Sequence, residues 1–246
     1  MYKSPLLVFV ATDQEFQALS SMLGQWNPEK VRPQRGTGWL AGYQIDLVQT
    51  GMGPENAAHR SRTILKHHPA RTVLMCGIAG ALSSECQVGD AVLYTHCRAS
   101  AQPDIQIKTT SSITESIVSS LETGLIRTFQ GAGVTLPRVV CRASEKVQIG
   151  SEYRALAIDM ESFFVVENAL RANRQVAVLR IISDDTRHDL PDFNQAINNQ
   201  GHINHLKMAL VLSRTPLRTL AFARSLHVSM TQLGKAFQLA LSANLL

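Results

Sequence analysis

Carboxyl groups placed at the ends of apolar runs are the residues of this chain best suited to chemistry. Asp159 and Glu161 follow a short apolar run at 156–158, and Asp184 and Asp185 close a second run that begins at Val176. Between them, Phe163, Phe164, Val166, Ala169 and Leu170 recur at helical spacing, which predicts strand, helix and strand over residues 155–185. In open α/β sheets a ligand binds beyond the carboxyl ends of the strands. Both acid pairs are therefore expected at one crevice, as candidates for proton transfer. Each also has a plainer reading. Asp184 suits a turn or helix cap, Met160 suits core packing, and Asp159 is best read as a cap. Glu15 follows Thr12 by three residues, the spacing of a capping box. Gly51, Gly53 and Pro54 open a predicted helix whose free N–H groups could face an anion or a hydroxyl.

The elements that must position these groups alternate along the chain. A buried strand is expected at 6–11, followed by a helix from Thr12. A hairpin follows, 36–40 with 43–49, turning at Ala41 and Gly42, and then a helix from 54 to about 68. Strands are predicted at 71–75, 87–95 and 134–141, and a helix over 113–130. Residues 97–114 are polar and read as a mobile loop. The stretch from Pro191 to the last residue reads as mostly helical, divided at Pro216. Strands alternating with helices predict an α/β fold with a parallel or mixed sheet and helices on both faces, as one domain over 1–246.

Composition narrows the function classes. Hydrophobic residues make up 45% and charged residues 17%, as in ordinary globular proteins. The net charge is +5 and the isoelectric point near 9.2. The cationic residues are scattered, so no nucleic-acid partner is predicted. The N-terminal apolar run, residues 5–10, is too short for a signal core, and no segment reaches the roughly eighteen apolar residues of a span. A soluble, cytoplasmic protein is expected. Cys76, Cys86, Cys97 and Cys141 lack metal-ligand spacing, so neither disulfides, nor a metal, nor a cofactor is expected.

Three segments, taken together, resemble the purine nucleoside phosphorylase/uridine phosphorylase superfamily. Gly77-Ile78-Ala79-Gly80-Ala81-Leu82 with Val88-Gly89-Asp90 is similar to its glycine-rich loop and the strand after it. Ala157-Ile158-Asp159-Met160-Glu161-Ser162 is similar to its ribose-binding segment. Arg180-Ile181-Ile182-Ser183-Asp184 is similar to its R-x-I-S-D segment. The stretch Ala11-Thr12-Asp13-Gln14-Glu15 resembles the nucleosidase branch, which cleaves methylthioadenosine and S-adenosylhomocysteine. Together with residues 51–58 and 187–220, it is closer still to the hopanoid-associated phosphorylase/nucleosidase group. The resemblance implies a three-layer nucleoside phosphorylase-like fold, a central mixed twisted sheet flanked by helices, with a helical C-terminal segment.

It also implies cleavage of the N-glycosidic bond of an adenosyl-type nucleoside, and in the hopanoid group release of adenine from adenosylhopane. Asp184 would protonate the purine at N7, with a raised pKa to which the like charge of Asp185 could contribute. Glu161 would accept from the ribose hydroxyls, and Met160 would pack on the sugar. Ile78, Ala79, Gly80 and Ser183 would contact substrate, and Glu15 would orient the attacking water. A phosphorylase needs a cationic cradle for phosphate. Here Ile78 stands where many members carry Ser or Thr, and only Arg60, Arg98 and Arg142 are candidates. Hydrolysis is the expected reaction, with phosphorolysis, or nucleoside binding without catalysis, as the alternatives. The implied partners are a small-molecule nucleoside, phosphate if the reaction is phosphorolysis, a second copy of the chain in a homo-oligomer, and a membrane only for a hopanoid substrate. No aromatic residue for stacking on the base is evident at 142–149, and Ala81 replaces a second glycine.

Overall fold

The structure, a computed structural model, describes residues 3–197, 204–243 and 245. Its strands are β1 (Lys3–Val10), β2 (Gly24–Pro28), β3 (Arg35–Leu40), β4 (Tyr43–Gln49), β5 (Thr72–Ala81), β6 (Ala91–Ala99), β7 (Gln102–Lys108), β8 (Thr128–Thr135), β9 (Ala157–Asp159) and β10 (Gln175–Asp184). The helices are α1 (Asp13–Ser20), α2 (Pro54–Leu65), α3 (Ser111–Thr123), α4 (Ala143–Tyr153), α5 (Ser162–Arg171), α6 (His205–Arg214) and α7 (Pro216–Ser242).

All ten strands join one mixed sheet. β1 is flanked by β4 and β5, both parallel to it, and β4, β3 and β2 continue outward as antiparallel neighbours. On the other side the strands close on themselves. β5 pairs with β10, β10 with β6, β6 with β8, β8 with β9, and β9 returns to β5. This five-strand circuit holds the strand ends that carry the acid groups.

β1 is a continuous apolar run because both of its faces are covered. Leu6, Val8 and Val10 face a core built with Phe16, Leu19, Ile117, Leu233 and Phe237 from α1, α3 and α7. Leu7 and Phe9 face the opposite core, with Ala57, Leu65, Phe163 and Val166 from α2 and α5. The period of two along the strand thus serves two helical layers at once. The predicted mixed sheet with helices on both faces and a helical C-terminal part is the observed architecture. Among the described residues, no helix is long and apolar enough to cross a membrane. All four cysteines are buried and unpaired.

Several local expectations are corrected. Residues 97–114 are not an irregular loop, because β6 runs to Ala99 and β7 pairs with it antiparallel. β7 is an edge strand open to solvent along most of its length, so its polar composition hid its extended conformation. The helix expected over 113–130 stops at Thr123, with Gly124 as its cap, and β8 starts at Thr128. The strand expected at 134–141 is therefore shifted, since β8 ends at Thr135. β2 and α4 were not anticipated. Within the predicted C-terminal helical stretch, residues 198–203, 244 and 246 lie outside the described residues. Pro216 does begin α7, one residue after the cap of α6.

Candidate active site

The site is built where β1, β5, β9 and β10 end. α1 starts with the capping box its sequence predicts. Thr12 Oγ1 accepts from Glu15 N at 3.2 Å, and Glu15 Oε2 accepts from Ala11 N at 2.9 Å and Thr12 N at 2.8 Å. The cap is only half of what this side chain does. Its other oxygen, Oε1, reaches across to β5 and accepts from Ile78 N at 2.8 Å. Glu15 is thereby buried, 1% exposed, and fixed at both oxygens. Gly77 makes this approach possible, because a Cβ there would collide with Glu15 Oε1 and Arg180 Nη1.

Arg180 is the hub. It interrupts the apolar run of β10 and is fully buried, a placement that a charge tolerates only with partners. Its Nε donates to Asp159 Oδ2 and to Ser162 Oγ, each at 3.1 Å, and Nη2 donates to Ser162 Oγ at 2.9 Å. Nη2 lies 3.5 Å from Glu161 Oε2, and Nη1 lies 4.0 Å from Glu15 Oε1. Three carboxyl groups therefore surround one guanidinium. Burial alone would depress the Arg180 pKa, but Asp159 and Glu161 outweigh it and keep the group firmly charged.

Asp159 is not the helix cap that its sequence suggests: it ends β9, and the N-cap of α5 is Glu161, two residues on. Asp159 Oδ1 accepts from Glu161 N and Ser162 N, each at 3.0 Å, and from Thr135 Oγ1 at 2.8 Å. Burial would raise its pKa, but Arg180 and these donors hold the carboxyl below its usual range. Glu161 goes the other way. Desolvation, with Asp159 and Glu15 nearby, pushes it up to about 8, against Arg180 and the N–H of Gly53. Gly53 N donates to Glu161 Oε1 at 2.9 Å, from a backbone with φ of 94° that favours glycine. Met160 is half-buried beside it, its methyl 4.0 Å from where a Gly53 Cβ would lie. The helix N-terminus that the glycine pair announced thus turns its first amide to the acid cluster rather than leaving it free for an anion.

Asp184 lies apart from the Arg180 hub. It pairs with Gly80 in the β10–β5 register, and Gly80 pairs with Ile158 on β9. Ser183 Oγ donates to Asp184 Oδ1 at 2.6 Å and to Ala79 O at 3.2 Å. Asp184 Oδ2 forms an ion pair with Lys146 Nζ, and Lys146 also donates to Asp185 O at 2.8 Å. The expected role for Asp185 is corrected here. Its Oδ1 accepts from Arg187 N and His188 N at 3.0 Å each. Burial would raise its pKa, but these bonds, with the His188 ring, lower it. Asp185 therefore caps the following turn, and the charged partner of Asp184 is a cation.

Ile78, Ala79, Gly80, Ser183, Asp184, Glu15 and Glu161 thus converge on the end of β5, tied together by the contacts above. The three arginines offered for a phosphate cradle do not join them. Arg60 Nη2 donates to Pro33 O at 3.3 Å, Arg98 Nη2 donates to Gln106 Oε1 at 2.8 Å, and Arg142 is exposed at the cap of α4. Sequence reading missed the central part of Arg180 and all of Lys146. A lone arginine inside the run 176–182 was the available signal for the first. The second lies on α4, a helix whose apolar periodicity is too weak to announce it, with only Lys146 and Ile149 buried.

A family model described as the phosphorylase superfamily matches residues 5–212. The chain belongs to that superfamily. The 5'-methylthioadenosine/S-adenosylhomocysteine nucleosidase of Baumannia cicadellinicola subsp. Homalodisca coagulata is 36% identical over 87 residues, which is 35% of this chain and 38% of that protein. The match therefore spans less than half of the curated relative. The solved 5'-methylthioadenosine/S-adenosylhomocysteine nucleosidase of Neisseria meningitidis, in complex with methylthio-immucillin-A, superposes with a TM-score of 0.75 at 20% identity. The superposition covers 97% of this chain and 98% of that one. Futalosine hydrolase of Helicobacter pylori follows with a TM-score of 0.68 at 17% identity, covering 91% and 97%. At such identities the likeness establishes the fold.

Proposed function

We propose that this protein hydrolyses the N-glycosidic bond of an adenosyl-type purine nucleoside. The observation that carries the reading is the composition of the hub, three carboxyl groups against one guanidinium. Departure of a purine leaves positive charge on the sugar, as in glycoside hydrolysis, and an acidic surround favours that charge. The same surround disfavours a phosphate dianion, since the only cation in the hub is already engaged with carboxyl groups. Water is therefore the nucleophile in this reading.

The roles follow from position. Asp184 delivers a proton to the leaving base at N7, and Ser183 holds its Oδ1. Glu161 meets the ribose hydroxyls, with Met160 against the sugar. Burial pushes the Glu161 carboxyl up to about 8, so it holds a proton more firmly than an exposed carboxyl and can donate as well as accept there. Glu15 orients the water beside Ile78, Ala79 and Gly80. The names of the relatives support an adenine base and a 5′-thio substituent. The resemblance of residues 187–220 to the hopanoid-associated group adds adenosylhopane to the substrates to be tried.

The test is adenine release from methylthioadenosine, adenosine and an adenosyl-hopanoid mimic, with the wild type and Asp184→Asn. Release lost by at least about 100-fold in the variant, the usual range for a general acid, supports the reading. Turnover of none of the three, or equal turnover by the variant, contradicts it.

A further inference from the structure

The Lys146–Asp184 pair has no part in the reading above, although it touches the group assigned to protonate the base. Lys146 is fully buried on α4, with a relative exposure of 0%, and its ammonium donates to β10 and its end, at Asp184 Oδ2 and Asp185 O. A buried lysine is costly unless it is paired, and this one is paired with a single carboxylate. Three of its neighbours on the same helix, Val147, Gln148 and Ser151, are exposed, so core packing does not account for a lysine here. Asp184 Oδ1 is held by Ser183, which leaves Oδ2 and the lysine as one continuous donor path.

We infer that Lys146 is the proton source for Asp184, so that the general acid of this site is a lysine–aspartate relay. The inference rests on Asp184 being the acid, as proposed above. As the N9–C1′ bond breaks, its electron pair passes into the purine ring. The Lys146 ammonium gives a proton to the Asp184 carboxylate at Oδ2 as Asp184 passes one to N7, leaving a neutral amine and a carboxylate. Water adds to C1′ and releases its second proton to solvent past Glu15. The amine regains a proton from solvent once the base departs. Lys146 acts through Asp184 and touches no substrate atom, so it is a positioning and proton-supplying residue.

The test compares wild type, Lys146→Met and Lys146→Arg on an adenosyl nucleoside and on its N7-methylated form. Methylation at N7 makes the base a cation and removes the need for a proton. Arginine keeps the charge but does not give up its proton. Both variants are expected to cleave the unmethylated substrate at least about 100-fold more slowly and the methylated one within about threefold of wild type. Equal slowing of both substrates assigns Lys146 a structural part and overturns the relay. Wild-type turnover of the unmethylated nucleoside by Lys146→Arg overturns it too, because charge alone then suffices. A wild type that cleaves neither substrate contradicts the nucleosidase reading instead.

Discussion

Arg180 Nη1 lies 4.0 Å from Glu15 Oε1, with Gly77 facing the gap between them. Two groups 165 positions apart in sequence are thereby brought together at the end of β5. Glu15 arrives from the first helical turn and Arg180 from the middle of the last strand. Neither could approach if residue 77 carried a side chain, so this glycine of β5 admits the ion pair.

Removing the cation is expected to be expensive. Arg180→Met leaves Asp159 buried with its counter-ion gone, and breaking a buried pair in this way costs about 3–5 kcal/mol. Urea unfolding should show a midpoint lowered to match. A variant as stable as wild type would mean that Asp159 is satisfied by Thr135 and the α5 amides alone.

Glu161 predicts a pH dependence of stability. With its folded pKa raised from 4.5 to about 8, the folded chain keeps a proton that the unfolded chain has lost. Its favourable contribution is complete below pH 4.5 and is lost as pH rises toward 8. The melting temperature of wild type should therefore fall across that window relative to Glu161→Gln, in which the titrating proton is absent. Parallel curves for the two proteins would contradict the assignment.

The two roles of Glu15 can be separated. Thr12→Ala removes the cap and should cost about 0.5–2 kcal/mol of stability while leaving turnover within a few-fold. Glu15→Gln keeps the size but places an amide N–H₂ against backbone donors at Ala11 and Thr12, or at Ile78. Turnover should fall by about 100-fold or more. Equal effects of the two substitutions would leave Glu15 as a cap alone.

The outline of the fold was readable because two-sided burial makes strands such as β1 continuous apolar runs, and because residues 155–185 switch periodicity cleanly. Glu15, Glu161 and Asp184 stand out as candidates for a related reason: they are polar groups at the ends of such runs. What escaped was tertiary in origin. β7 is polar because it is an exposed edge, and α4 buries only Lys146 and Ile149. Asp185 was given a repulsive part because adjacency in sequence says nothing of direction. The turn sends its carboxyl to Arg187 and His188, away from Asp184. Two readings of Glu15, as cap and as site residue, were set against each other, whereas its two oxygens satisfy both geometries.

The central claim is that water, not phosphate, receives the sugar. The measurement is the rate of adenine release from methylthioadenosine in phosphate-free buffer and again with phosphate added to millimolar levels, with the sugar product identified in each case. The account predicts the same rate in both buffers and a free sugar in both. Release that appears only with phosphate, together with a sugar 1-phosphate, would contradict it and remove the water-orienting role from Glu15.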